Sequence, residues 1–300
     1  MADFTHSFWS WYIAVPTVLG MLWCFYLTFD NARKIDPDDE GKPMEHIWDE
    51  DLREINNPLP KWWLNLFYIT IVFGFGYLIL YPGLGSYQGL LGWSQVGRYE
   101  QELVDADARY APLYEEYGSQ SLAALGQNKN ALGTASRLFS TNCSICHGAD
   151  ARGAKGFPNL RDEQWLYGGD GETIKLSISN GRNGIMPAWF ASLGEAGVTE
   201  LTAYLHGFQQ TPENPAAAQA GKEKFQLFCA ACHGADATGN QAIGAPNLTD
   251  KNWLYGGSKA AISESISKGR QGTMPAHKDL LSENQIHLLA AYILNLSGQL

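Results

Sequence analysis

The sequence predicts an all-α chain in two parts: two transmembrane helices, then a tandem pair of helical units. Three observations predict it. Residues 7 to 29 and residues 62 to 97 hold no charged side chain. Residues from about 131 to 210 recur, block by block, from about 217 to 300. Each copy is bounded by apolar residues at helical spacing.

The first apolar run, about 7–29, is long enough to cross a hydrocarbon core; in the second, about 62–82 is the more apolar part. Trp9, Trp11, Tyr12, Trp62, Trp63 and Tyr81 sit where interfacial aromatic belts form. Pro16 should kink the first helix, which a spanning helix tolerates. The first six residues hold no Lys or Arg and no small-x-small cleavage site follows, so the segment is not a typical cleaved signal. The loop 30–61 carries Arg33, Lys34, Lys42, Arg53 and Lys61, while the N-terminal tail carries no basic residue. The positive-inside rule therefore puts that loop in the cytoplasm and everything after the second span outside. Residues 1–84 form this membrane anchor. Cys24, inside the first span, reads as a small apolar residue.

Residues 85–130 read as a connecting segment, of which 98–130 is polar and helix-prone and packs on a neighbour. The chain carries a net charge of −10, of which residues 1–84 account for −6, with five basic against eleven acidic residues. Nothing in that balance points to nucleic acid.

The repeat carries the chemistry. Cys143-Ser144-Ile145-Cys146-His147 and Cys229-Ala230-Ala231-Cys232-His233 are both Cys-x-x-Cys-His, the attachment signature of c-type haem. The thiols form thioethers to the porphyrin vinyl groups, and His147 and His233 become proximal iron ligands. A structural zinc site needs four protein ligands and each motif offers three. A thioredoxin-like pair should sit near a βαβ pattern, and none is visible. Met186-Pro187 and Met274-Pro275 follow the two histidines by 39 and 41 positions. A thioether opposite the histidine raises the iron potential and closes the sixth site, which suits electron transfer. Further matching blocks are Pro158-Asn159-Leu160 with Pro246-Asn247-Leu248, Trp165 to Gly169 with Trp253 to Gly257, Ser177-Ile178-Ser179 with Ser265-Ile266-Ser267, and Gly181-Arg182 with Gly269-Arg270. Duplication of one haem-binding unit explains them, with a unit at 131–210, a linker at Thr211 to Pro215, and a unit at 217–300.

Each copy resembles a class I cytochrome c domain, on the ordered motifs Cys-x-x-Cys-His, Pro-Asn-Leu and Met-Pro. The resemblance implies an amphipathic helix before the haem motif and another that closes the fold. Leu132 and Phe139 fit the first helix of one copy, and Phe225 and Phe228 that of the other. Leu201, Tyr204, Leu205 and Phe208 mark one closing helix, Ile286, Leu289, Ala290 and Ile293 the other, the latter opened by a Ser282–Gln285 capping box. The family pattern implies His147 with Met186 on the first iron and His233 with Met274 on the second. His206, His277 and His287 are rival ligands with no matching histidine in the other copy; Trp189 stands at the place of His277. The resemblance also implies that the Pro158 and Pro246 carbonyls accept from the ligating imidazoles, although the prolines also suit a plain loop role. Arg182 and Arg270 are candidates for haem propionate contacts, or else solvated loop cations. Trp165, Tyr167, Trp253 and Tyr255 either wall the haem edge or pack the core.

A second resemblance covers the anchor. His46-Ile47-Trp48-Asp49, Leu52-Arg53-Glu54, Asn56-Asn57-Pro58-Leu59-Pro60, Trp62-Trp63 and Phe73-Gly74 resemble the N-terminal region of the dihaem subunit (CcoP or FixP type) of cbb3-type cytochrome c oxidases. Many members have one span where two are predicted here. The resemblance implies two covalently bound haem c groups and haem units in the periplasm of a bacterial inner membrane. It implies electron transfer from a soluble periplasmic cytochrome c to the monohaem subunit and on to the haem-copper site of the catalytic subunit. The chain would not be an enzyme alone and would hold no catalytic residue. The alternative is a free-standing membrane-anchored dihaem carrier. A peroxidase would need an open iron site, which the two methionines argue against, and no signalling domain marks a sensor.

Overall fold

The computed structural model describes residues 6–32 and 38–300. They divide into two compact units, one ending at Ala108 and one running from Arg109 to Leu300.

The first unit holds the anchor. Ser7–Asn31 (α1) begins at His6, whose side chain accepts from the Phe8 N–H at 3.1 Å. Pro16 lies inside the helix. The Thr17 and Thr28 hydroxyls donate to the carbonyls four residues back, at 2.7 Å each, so neither donor is orphaned among apolar neighbours. Pro43–Trp48 (β1) and Leu52–Ile55 (β2) pair antiparallel across a turn at Asp49 and Glu50, both left-handed. The His46 ring stacks on Trp48 at 4.4 Å. This ribbon, in the segment carrying Lys42, Arg53 and Lys61, is not foreshadowed by the sequence. Arg33 and Lys34 lie outside the described residues.

Lys61–Leu80 (α2) is 20 residues, about 30 Å at 1.5 Å per residue. Both helices are long and apolar enough to cross a membrane, and Ile71 is the one buried residue between them. They run antiparallel: Ser10 meets Ser86 just past α2, with the Ser86 N–H donating to the Ser10 hydroxyl at 3.1 Å, and Phe25 meets Tyr68 at 5.4 Å. Residues 84–91 fold back to satisfy the last carbonyls of α2, through Leu90 N–H to Ile79 O at 2.9 Å and Leu91 N–H to Leu80 O at 3.1 Å.

Gln95–Gly118 (α3) spans the division. Leu122–Gln127 (α4) and Lys129–Asn142 (α5) lead to the one-turn helix Ser144–His147 (α6), then Gly171–Asn180 (α7), Arg182–Met186 (β3) and Phe190–His206 (α8). The second repeat gives Pro215–Phe228 (α9), Ala230–His233 (α10), Lys259–Lys268 (α11), Arg270–Met274 (β4) and Glu283–Leu296 (α12). Side-chain caps start the helices where the sequence offers them: Asn128, Asp170, Asn214, Ser258 and Ser282, the last as the predicted capping box with Gln285.

The two cores are crossed. Phe139 of α5 and Ile174 and Ile178 of α7 pack with Ile286, Leu289, Ala290, Ile293 and Leu294 of α12. Phe225 of α9 and Ile262 and Ile266 of α11 pack with Val198, Leu201 and Leu205 of α8. Each closing helix therefore serves the other repeat. The boundaries 131–210 and 217–300 describe the duplicated sequence but not the packed bodies. The two repeats cross at β3 and β4, which form one antiparallel ribbon of five pairs from Arg182–Met274 to Met186–Arg270.

Two further expectations change with this. Residues 211–215 join helices packed on each other, through Tyr204 with Phe225 at 5.5 Å and Glu200 with Lys224 at 2.6 Å, so they turn a helical hairpin and do not link domains. The connecting segment 85–130 is in part core: Tyr117 and Leu125 bury against Leu288 and Ala291 of α12. Burial of those apolar side chains outweighs the polar character of the segment as a whole.

Candidate haem sites

The two Cys-x-x-Cys-His motifs fold alike. At each, one helical turn closes on the first cysteine: Cys146 and His147 N–H donate to Cys143 O at 3.1 and 3.0 Å, and Cys232 and His233 N–H to Cys229 O at 3.1 and 2.9 Å. One turn brings residues i, i+3 and i+4 to the same side, so two thiols and an imidazole converge. All four cysteines are free thiols. Burial, then the neighbouring thiol, pushes Cys143 and Cys229 up to about 11 each. Metal-binding and redox-active cysteines need the opposite shift, toward thiolate.

The loop after each motif returns to the imidazole. His147 Nδ1 donates to the Pro158 carbonyl at 3.0 Å, and His233 Nδ1 to the Pro246 carbonyl at 3.2 Å. That bond fixes the tautomer and leaves the Nε2 lone pair for iron. Burial lowers both imidazole pKa values, opposed by the proline carbonyl, and His277 lowers that of His147 further by charge. A neutral ring is what a metal requires. The tight return depends on Gly153 and Gly239, where a Cβ would run into the Pro158 and Pro246 backbone. Ala151 and Ala237, both buried, are held left-handed at φ 61° and 63°, a local strain repeated in both copies.

Arg182 and Arg270 are not solvated loop cations. Each guanidinium lies 4.6 Å from a tyrosine ring, Tyr167 and Tyr255 respectively, and each Nε donates at 2.9 Å to a serine, Ser177 and Ser265. Arg270 also reaches Glu264 at 3.3 Å. The serines had no assigned role in the sequence, yet their recurrence five residues before each arginine was a usable signal. Trp165 packs on the core holding Phe139 and Trp253 on the core holding Phe225.

The methionines stand at opposite ends of the ribbon, each across from the other strand's arginine. Met274 packs on the core that includes Phe139 and Ile178 and is bordered by Cys143. Within-repeat pairing of His147 with Met186 and His233 with Met274 is thus not the arrangement this packing favours. The rival histidines are otherwise engaged: His206 with Gln210 at 2.8 Å, and His287 with the Gln120 carbonyl at 2.9 Å. His277 Nδ1 is buried without a hydrogen-bond partner, an acceptor or donor left for a polar group of a ligand. Among the described residues no three His, Cys, Asp or Glu side chains cluster as a metal cage. Thiol pair, oriented imidazole and thioether fit haem c at both motifs, and the unsatisfied His277 Nδ1 adds to the fit on the side of His147.

Comparison with known proteins agrees in both halves of the chain. Residues 40–88 match the family described as the N-terminal domain of cytochrome oxidase-cbb3, FixP. Residues 130–205 and 216–293 each match the family described as cytochrome c oxidase, cbb3-type, subunit III. The cbb3-type cytochrome c oxidase subunit CcoP of Rubrivivax gelatinosus is 46% identical over 299 residues, 99% of this chain and 97% of its own. Subunit FixP of Azorhizobium caulinodans is 38% identical over 84% of this chain and 92% of its own. Subunit CcoP of Cereibacter sphaeroides is 36% identical over 84% and 93%.

Proposed function

The chain belongs to the family of cbb3-type cytochrome c oxidase subunits of the CcoP and FixP type, and from that premise we propose its place in the electron path. It is an electron-transfer subunit of an oxidoreductase complex, so it has oxidase partners, and its cytochrome c repeats imply haem c. The finer reading is two covalent haem c groups per chain, attached at Cys143 and Cys146 and at Cys229 and Cys232. His147 and His233, with Met186 and Met274, would hold the irons through imidazole and thioether. Haem c supplies a one-electron iron couple. The protein's own part is to hold it: the Pro158 and Pro246 carbonyls keep each imidazole in one tautomer, and a thioether ligand would disfavour oxygen binding. Arg182 and Arg270, each braced by a serine and a tyrosine, offer planar donors to haem propionates.

The chain takes electrons from a soluble periplasmic cytochrome c and delivers them to the monohaem subunit, and so to the haem-copper site of the catalytic subunit. It holds no oxygen chemistry of its own. The basic residues between the spans put the loop in the cytoplasm and the haem repeats in the periplasm of a bacterial inner membrane. The observation that carries the reading is the doubled His–Pro carbonyl bond beside a free thiol pair, behind a two-helix anchor.

Purification from membranes in mild detergent, with pyridine haemochrome spectra, copper analysis and oxygen uptake, tests it. Haem b and copper should copurify with haem c, and the preparation should consume oxygen. Haem c alone, at two per chain, would instead make the protein a free-standing carrier.

A further inference from the structure

The two repeats place different side chains at one equivalent position. The His277 N–H donates to the Ile178 carbonyl at 3.0 Å, and the Trp189 N–H donates to the Ile266 carbonyl at 3.0 Å. Ile178 and Ile266 are matched residues in the last turns of α7 and α11, so His277 and Trp189 are equivalent in the fold as well as in the sequence. The Leu281 N–H donates to the His277 carbonyl at 2.8 Å, and Leu281 is buried in the core that holds Phe139. His277 is therefore held through its own backbone on both sides. Its ring is close enough to His147 for charge on one to oppose charge on the other. Its Nδ1 is buried and has no hydrogen-bond partner, a state that protein interiors rarely carry. Trp189 differs. Its ring lies 5.9 Å from that of Phe228 and packs on the core that holds Phe225, and its indole nitrogen is not among the buried, unpartnered atoms of the described residues.

We propose that His277 Nδ1–H donates to a propionate of the haem attached at Cys143 and Cys146, and that the haem attached at Cys229 and Cys232 has no such bond from Trp189. This rests on the dihaem reading above. The chemistry of the porphyrin edge leaves one class of acceptor. The vinyl groups become thioethers, the methyl groups and bridging carbons are apolar, and the pyrrole nitrogens are taken by iron. The propionates carry the only oxygens, so a buried imidazole N–H beside the haem finds its acceptor there. The bond has a consequence at the iron. A donor draws charge from the carboxylate, less negative charge then bears on the metal, and the reduced form is favoured. His277 thereby raises the potential of the haem beside His147. Its side chain contributes an inequality between two sites that share the same Cys-x-x-Cys-His turn and the same His–Pro carbonyl bond.

The test uses the full-length two-haem protein. His277→Phe removes the donor and keeps a ring, while His277→Asn keeps an N–H near the place of Nδ1. In spectroelectrochemistry, one of the two midpoint potentials should fall in the Phe variant and return toward the native value in the Asn variant. Resonance Raman should show a shifted propionate bending band in the Phe variant and a near-native one in the Asn variant. Repeating His277→Phe with Cys229→Ala and Cys232→Ala, which leaves only the haem at His147, assigns the shift: it should persist there. It should be absent with Cys143→Ala and Cys146→Ala. An unchanged potential and band in His277→Phe, equal shifts in the Phe and Asn variants, or a shift confined to the haem at His233 overturns the proposal. The ferric sulfur–iron charge-transfer band should survive both substitutions, because the bond is to the haem edge; its loss in both would move the effect of His277 to the axial ligand and overturn the proposal as well. If the one-haem forms fold poorly, the Phe–Asn contrast in the two-haem protein still decides. If the native protein carries no covalent haem by mass, the dihaem reading itself fails, an outcome separate from any effect of His277.

Discussion

The two closing helices share one face and differ on the other. Leu201 and Leu205 of α8 match Leu289 and Ile293 of α12, and all four are buried against a haem-motif helix and its partner. The opposite side of α12 is covered by α3 and α4 through Leu288 and Ala291, whereas α8 shows Glu200 to Lys224 of α9 at that level. Duplication copied the face that packs the cofactor unit, and the surroundings then set what the second face could be. The first repeat is wrapped by its N-terminal helices; the second is closed by one helical hairpin.

The largest effect should come from the covalent anchor. Cys143→Ser with Cys146→Ser should remove one haem and leave the other, read as a loss of half the covalent haem by mass spectrometry. Because α12 closes the emptied core, the same variant should also loosen α12, seen as faster amide exchange there than in α8. Equal exchange in both helices would show that the two cores are less independent than their packing implies.

Truncations then grade the two faces. Leu289→Ala and Leu201→Ala should each cost about 2–5 kcal/mol, as fully buried leucines do. Leu288→Ala should cost a similar amount, while Glu200→Ala at the matched position should cost about 1 kcal/mol or less, a partly exposed ion pair. Chemical denaturation of the holoprotein reads both, and equal losses at 288 and 200 would erase the distinction between the faces.

Gly221 of α9 lets the Glu200 backbone come close, and a Cβ there would strike the Glu200 carbonyl. The first repeat already carries an alanine at the matched place, Ala135. Gly221→Ala should therefore cost about 1–3 kcal/mol by overpacking. A neutral result would mean that the α8–α9 hairpin is looser than its first-repeat counterpart.

The smallest effect is acidic. α7 is capped by Asp170 and α11 by Ser258 at the matched position. Hydrogen bonds from Thr173, side chain first and then backbone N–H, hold the Asp170 carboxyl below the usual range. A depressed folded pKa gives stability that is whole above the unfolded value, about 3.9, and is lost as pH falls through the folded value. The first repeat should lose helix capping in that acid window and the second should not. Asp170→Asn should flatten the difference in amide exchange at α7.

Much of this was legible in the residues. The Cys-x-x-Cys-His turns, the Pro158 and Pro246 carbonyls, the Ser282 cap and both apolar spans stand where the sequence puts them, because each depends on contacts within a turn or a short loop. The ribbon of Pro43–Trp48 and Leu52–Ile55 escaped notice because its strands are fully exposed and carry no alternating pattern. The segment 85–130 reads as a connector because its few buried side chains, Tyr117 and Leu125 above all, are diluted by polar neighbours. Ser177 and Ser265 were visible in both copies, but nothing local says that a serine five residues back will hold an arginine.

By itself the sequence showed the two Cys-x-x-Cys-His motifs, the two apolar spans and the duplication, since each is written in local spacing and in apolar length. Only the tertiary structure decided which closing helix serves which repeat. The two helices offer nearly the same apolar face, so burial alone is satisfied by either assignment. What separates them are contacts between residues far apart in sequence: the pairing of Arg182–Met186 with Arg270–Met274, and the match of Leu288 to an apolar pocket and Glu200 to Lys224.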